Sequence, residues 1–166
     1  MKKIILSLVL LVSGLGFSQI KVIERIPVIK LAHVGNNDIY IQNEGDTLTF
    51  FYKNTEAEDN SVKSFSFRDL NNDYDSLRQI IVDGFTSDPL LDIKLELPNE
   101  YVWLHYSRKS LDRTYVQFLT SNKSYGSTGA SKEFSLEQIE KLFSKKLPKK
   151  KTSETSSKDD SMSEFK

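Results

Sequence analysis

Between Leu91 and Leu97, Leu91, Ile93, Leu95 and Leu97 alternate with Asp92, Lys94 and Glu96. A period of two with one dry face and one charged face predicts a half-buried antiparallel strand. Pro98-Asn99-Glu100 is a turn signal. Tyr101–Tyr106 follows, aromatic and β-branched enough for a second strand. Val102, Leu104 and Tyr106 share one side of it, and Tyr101, Trp103 and His105 share the other. A polar link, Ser107–Asp112, leads to a third strand over Arg113–Thr120, with Val116 and Phe118 on one face and Tyr115 and Gln117 on the other. Sequential strands with short links predict a meander.

The earlier part of the chain repeats this texture. Gln19–Val34 is rich in Ile and Val but contains Pro27, which cannot donate to a ladder, so it reads as an edge strand or an extended lead-in reaching to about residue 37. Ile39–Gln42 and Thr47–Lys53, joined through Asn43-Glu44-Gly45-Asp46, predict a hairpin. Val62–Arg68 alternates Phe65 and Phe67 with Ser64 and Ser66, a further strand. Ser131–Glu133 fits a short edge strand.

The period changes twice from two to three and four. Tyr74, Leu77, Ile80, Ile81 and Phe85 form one helical stripe, with Asn72 as N-cap, acidic Asp73 and Asp75 in the first turn, and Asp88-Pro89 as the stop. Leu136, Ile139, Leu142 and Phe143 form a second stripe. There Ser135 and Gln138 have the spacing of a capping box, and Phe134 with Ile139 that of a hydrophobic staple. The sum is an α+β fold: an antiparallel sheet of about six strands with two amphipathic helices packed on one face. The order strands-then-helix occurs twice, and Leu77-x-Gln79-Ile80 matches Leu136-x-Gln138-Ile139. Three shared letters are weak grounds for a duplication.

Both ends depart from the pattern. Lys2 and Lys3, the apolar run Ile4–Val12, and the small residues Gly16 and Ser18 have the order of a cleavable export signal over residues 1–18. The run is short for a bilayer span, so the mature chain is expected to be exported, to periplasm or medium, with no membrane span after cleavage. Residues 148–166 are rich in Lys, Ser, Asp and Glu with little to bury, which predicts a disordered tail. Residues 19–147 are then a single domain, and with no cysteine in the chain its core must hold the fold without disulfides.

Formal charge is zero, yet unevenly spread: residues 19–144 hold 14 basic and 19 acidic side chains, and the stretch from Lys145 holds 7 and 4. An acidic body argues against a nucleic-acid partner.

The signal ending GFSQ and the stretches DTLTFFYKN, KSFSFRD and LPNEYVWLHYS resemble a group of small exported proteins of Bacteroidota-type bacteria. The resemblance implies an envelope or extracellular address and an α+β fold. It carries no catalytic residues to these positions.

Candidate chemistry is sparse. Asp69, Asn71, Asp73 and Asp75 fall at alternate positions, as calcium ligands do, but the sixth and twelfth positions of that register are Tyr74 and Ile80, where a calcium hand needs Gly and Glu. Loop and cap chemistry explains them more simply. His33 and His105 are the only histidines and have no companion at zinc-ligand spacing. No phosphate-binding glycine loop and no nucleophile elbow occurs. No cofactor, metal or catalytic residue is therefore assigned.

One face has chemical interest: Tyr101, Trp103 and His105, with Arg113, Tyr115 and Gln117 from the neighbouring strand. Rings with polar edges can hold a sugar or a peptide if the face is open. The simpler expectation is that a helix covers it, because large aromatics usually lie in cores. The sequence therefore points to a non-enzymatic exported binding module for an envelope protein, peptide or glycan. The alternative is a small envelope hydrolase using His105 with a serine nucleophile.

Overall fold

The computed structural model describes residues 26–58, 61–109 and 112–147. The expected signal and tail lie outside them. Ten elements follow in order: β1 (Val28–Val34), β2 (Ile39–Glu44), β3 (Thr47–Lys53), β4 (Val62–Arg68), α1 (Asp73–Thr86), β5 (Ile93–Glu96), β6 (Glu100–Lys109), β7 (Arg113–Asn122), β8 (Thr128–Ser135) and α2 (Leu136–Leu142). The fold is α+β. Its strands form two four-stranded sheets, β1-β2-β3-β4 and β5-β6-β7-β8, rather than one sheet of about six. Every neighbouring pair is antiparallel. Among the described residues no helix is long and apolar enough to cross a membrane.

The division falls at α1. After β4 the chain enters α1, so the meander stops and the next four strands start a new sheet. Four strands and a helix therefore occur twice in the same order. Each sheet has one apolar face: Ile39, Ile41, Leu48, Phe50, Tyr52, Phe65 and Phe67 in the first, and Val102, Leu104, Val116, Phe118 and Phe134 in the second, all buried.

These inner faces meet directly. Phe65 of β4 lies 5.9 Å from Phe118 of β7, ring centre to ring centre. Tyr52 and Thr120 share a hydroxyl–hydroxyl bond of 2.5 Å. The Thr55 N–H donates to the Ala130 carbonyl (2.8 Å), and the Ala130 N–H donates to Asn54 Oδ1 (3.0 Å).

The helices pack differently. The Tyr106 hydroxyl of β6 donates to the Ile81 carbonyl of α1 (2.8 Å), and its ring meets Phe85 edge-on at 5.5 Å. Thus α1, which follows the first sheet, packs on the second. Phe143, which caps α2, packs on Phe50 of β3 (5.8 Å) and Tyr74 of α1 (5.0 Å). Helix α1 meets β6 and β7, whereas α2 bridges the two sheets, meeting β1 and β2 of the first and β7 and β8 of the second, so the helices are not packed together on a single sheet.

Local signals fared unequally. Ser135 and Gln138 close the capping box: Ser135 Oγ accepts from the Gln138 N–H, and Gln138 Oε1 from the Ser135 N–H. At α1, Asn72 is the N-cap residue but has φ 60° and makes no side-chain cap bond. Asp69 Oδ1 instead accepts from the Tyr74 N–H, and Asp73 Oδ2 from the N–H groups of Leu70 and Asn71. The carboxylates noted as calcium-like thus serve the turn and the helix start. Of the stripe, Tyr74, Leu77, Ile81 and Phe85 are buried, and Ile80 is exposed. Pro27 precedes β1, an edge strand; β8 is eight residues long, more than the short strand expected.

Where the sheets adjoin, Glu100 at the start of β6 has one carboxylate oxygen buried and unpaired among the described residues. Burial pushes this carboxyl above the usual carboxylate range, against the opposing pull of the Ser66 N–H and of Lys123. The folded state therefore holds this proton more tightly than the unfolded chain, in which a glutamate titrates near about 4.3. The Glu100 contribution to stability is then full below that value and is lost as pH rises through the higher folded value. Glu100→Gln should be more stable than the parent at pH 7 and should lose that advantage toward pH 4. Paired urea titrations across this range measure the difference; a gap that widens toward acid would refute the assignment.

Candidate functional site

The alternation along β6 decides which residues can reach a ligand. Val102, Leu104 and Tyr106 are buried, which turns Tyr101, Trp103 and His105 outward, half-exposed. The helix-covered arrangement is not what forms: α1 takes the Tyr106 side of the strand, and the aromatic side stays open. The physical reason is volume and shape, since Tyr106 reaches into α1 where Gly84 leaves room for its ring.

Register then sets the neighbours. Lys94 of edge strand β5 pairs with Trp103, and Glu96 with Tyr101. On the other side Leu119 pairs with Trp103, Gln117 with His105, and Tyr115 with Ser107. Tyr101 and Trp103 lie 6.0 Å apart, centre to centre, with ring planes at 54°. The Lys94 ammonium sits 4.1 Å from the Tyr101 ring centre and 5.0 Å from that of Trp103. The Lys123 ammonium is 4.8 Å from the Tyr101 ring centre and bonds Glu96 Oε1 at 2.7 Å. Lys123 holds the Glu96 carboxyl below the usual range. Each exposed cation–ring contact contributes about 0.5–1 kcal/mol, so these lysines are held at the rings yet remain displaceable.

His105 Nδ1 faces Asp92, at 2.9 Å from Oδ1 and 3.1 Å from Oδ2. Their side chains are 43% and 51% exposed, so the pair stands on the surface rather than in a cleft. Among the described residues no serine or threonine hydroxyl is bonded to the His105 ring.

The remaining candidates separate from this cluster. Gln117 Nε2 donates to the Ser131 carbonyl (2.7 Å), and Ser131 Oγ accepts from the Phe118 N–H (3.0 Å). Together they close the register shift between β7 and β8 at Gln117–Leu119. Tyr115 lies under the Lys109 ammonium at 5.6 Å, and Lys109 also pairs with Glu133, whose carboxyl it holds below the usual range. Arg113 and Tyr115 line a cleft of about 850 Å³ with Phe85, Gln138 and Lys141. Because Tyr115 opposes Ser107, six residues along β6 from Tyr101, the two tyrosines stand about 20 Å apart. A separate apolar groove of about 400 Å³ runs between α1 and β5, lined by Leu77, Ile80, Leu95 and Leu97.

The sequence reading missed Lys94, Lys123 and Asp92. Asp92 and Lys94 were signalled by the charged face of the Leu91–Leu97 alternation, but only the register between β5 and β6 places Lys94 over two rings; Lys123, just past β7, gave no such signal. No protein-family model matches this chain, and no curated protein and no solved structure matches it.

Proposed function

We propose that the chain is a non-enzymatic exported binding module whose site is the outer face of the second sheet, centred on Tyr101 and Trp103, and that its ligand is a glycan. One observation carries the reading: two tilted rings stand half-exposed on a central strand, with lysines at their faces and carboxylates at their rim. A pyranose has an apolar C–H face and hydroxyl edges. It fits rings that offer flat apolar area and hydrogen-bonding neighbours. A peptide adding to a sheet uses an edge strand instead, whereas β6 is flanked on both sides.

Thermal unfolding of the mature chain from Gln19 across envelope glycans and peptides tests this. A ligand at a hundred times its dissociation constant adds about 2.7 kcal/mol, a shift of several degrees. Trp103→Ala should weaken the active glycan by about 2 kcal/mol or more, on the order of thirtyfold. An unchanged shift in that variant would remove the platform from the site.

The His105–Asp92 contact favours a second reading, a hydrolase with His105 as base. It requires turnover of an ester or amide substrate that His105→Gln abolishes. Binding without turnover, unaltered by His105→Gln, leaves the binding module.

A further inference from the structure

The first sheet presents an outer face of the same construction. Tyr40 of β2 and Phe51 of β3 are cross-strand partners, half-exposed, with rings stacked at 4.9 Å and only 12° apart. The Lys30 ammonium of edge strand β1 lies 4.3 Å from the Tyr40 ring centre, steadied by a 2.6 Å bond to Asn37 Oδ1. In both sheets, then, a lysine from the first strand of the four, at the sheet edge, reaches over an aromatic ring of the second strand. On the β4 side the neighbours of the stacked pair are small and polar, with Ser64 opposite Phe51 and Thr49 paired with Gln42 and Ser66, and on the β1 side the exposed His33 opposes Tyr40. The face is therefore a flat shelf and not a pocket.

Charge indicates what would lie on it. The body of the chain is acidic, and Asp69, Asp73, Asp75, Asp83 and Asp88 gather in and around α1. Among the described residues the outer face of the first sheet carries Lys30, Lys53 and Arg68 against the single carboxylate Glu44 at its far end, and Lys132 reaches its rim, where it shares Asp38 with Lys53 (3.2 and 2.9 Å). Asp38 is thus spent between two ammonium groups, which hold its carboxyl below the usual range. Lys30 has no carboxylate partner among the described residues. At the second platform Lys94 likewise contacts rings and not a carboxylate. Cations parked at ring faces suit a ligand that brings its own negative charge beside a stackable ring.

We infer that the outer face of the first sheet is a second binding platform, and that the two platforms make the chain bivalent for one repeating acidic glycan of the uronate type. This rests on the reading of the second sheet as a glycan platform and extends it by a site and a ligand charge.

The chain has one tryptophan, Trp103. Tryptophan fluorescence therefore reports the second sheet alone, while calorimetry counts both platforms. With short oligogalacturonate and the mature chain, calorimetry should give two sites, and Tyr40→Ala should leave one while the fluorescence titration is unchanged. Trp103→Ala should also leave one, which adding Tyr40→Ala removes. Lys30→Met, which spares the rings and the fold, should weaken the first site at least tenfold, and a carboxyl-reduced neutral oligosaccharide should bind both sites at least tenfold more weakly. Because the inner faces meet, the two platforms point away from each other; polygalacturonate should therefore be cross-linked by the parent, read as turbidity, and not by either single-site variant.

A single site that responds in fluorescence and ignores Tyr40→Ala overturns the second platform and leaves the first reading standing. Two sites indifferent to Trp103→Ala, with silent fluorescence, overturn both. Equal binding of the neutral oligosaccharide, or no binding of the acidic one, overturns the acidic ligand; in the latter case the lysines serve only to guard the sheet edges against pairing.

Discussion

Phe65→Ala is expected to lower the unfolding free energy by about 3–5 kcal/mol, a large share of the roughly 5–15 kcal/mol that a domain possesses. Phe65 is 2% exposed and stands where the two sheets meet. It stacks on Phe50 at 4.9 Å and 9°, leans on Tyr52 at 6.5 Å, and faces Phe118 of the other sheet at 5.9 Å. Truncation leaves a cavity walled by rings that already have other partners, so collapse into it is poor. Urea titration should show a lower midpoint with an unchanged slope. Val62, three residues earlier on the same strand and 55% exposed, provides the contrast. Val62→Ala should change stability by no more than about 0.5 kcal/mol. A loss below about 1 kcal/mol for Phe65→Ala would mean that the two sheets do not share a core at this point.

Gly84→Ala should destabilise although it replaces a poor helix former with the best one. In an exposed helix the exchange would gain roughly 0.8–1 kcal/mol. Here the added methyl would fall inside contact distance of the Tyr106 ring and hydroxyl. That ring is 5% exposed, held edge-on by Phe85 and tied through its hydroxyl to the Ile81 carbonyl. Burial pushes the hydroxyl's titration well above the usual tyrosine range, so it stays protonated and donating at physiological pH. Overpacking costs about 1–3 kcal/mol and an orphaned buried donor about 1–3 more, so a net loss on the order of 2–4 kcal/mol is expected. The two residues should be strongly coupled. In a Tyr106→Val background the same Gly84→Ala change should become neutral or stabilising. Zero coupling in that double-mutant cycle would show that Gly84 is not a seat for the ring.

The chain's own sequence settled most of the elements and which residues share a side of each. Phe65 and Phe67 alternating with serines, Val102, Leu104 and Tyr106 sharing a side, and the Ser135–Gln138 box are local patterns, and local patterns act within one strand or one helical turn. The six candidate residues were legible as one surface for the same reason: period-two alternation puts them on one side of two neighbouring strands. What the alternation does not specify is which of two semi-apolar sides meets the rest of the protein. On β6 that depended on Tyr106 finding Gly84, 22 residues away, and α1 therefore took the side opposite Trp103.

Register also lay beyond the local pattern. It sorted the six candidates into an aromatic cluster at Tyr101 and Trp103, a His105–Asp92 pair, a Gln117 brace across a bulge, and a cleft at Arg113 and Tyr115. Sheet membership was equally non-local. Hairpins follow from turns, but whether eight strands make one sheet or two depends on what the intervening helix α1 packs against. It packs on the second sheet, α2 bridges the two, and because both helices meet the inner, buried sides the outer faces stay open.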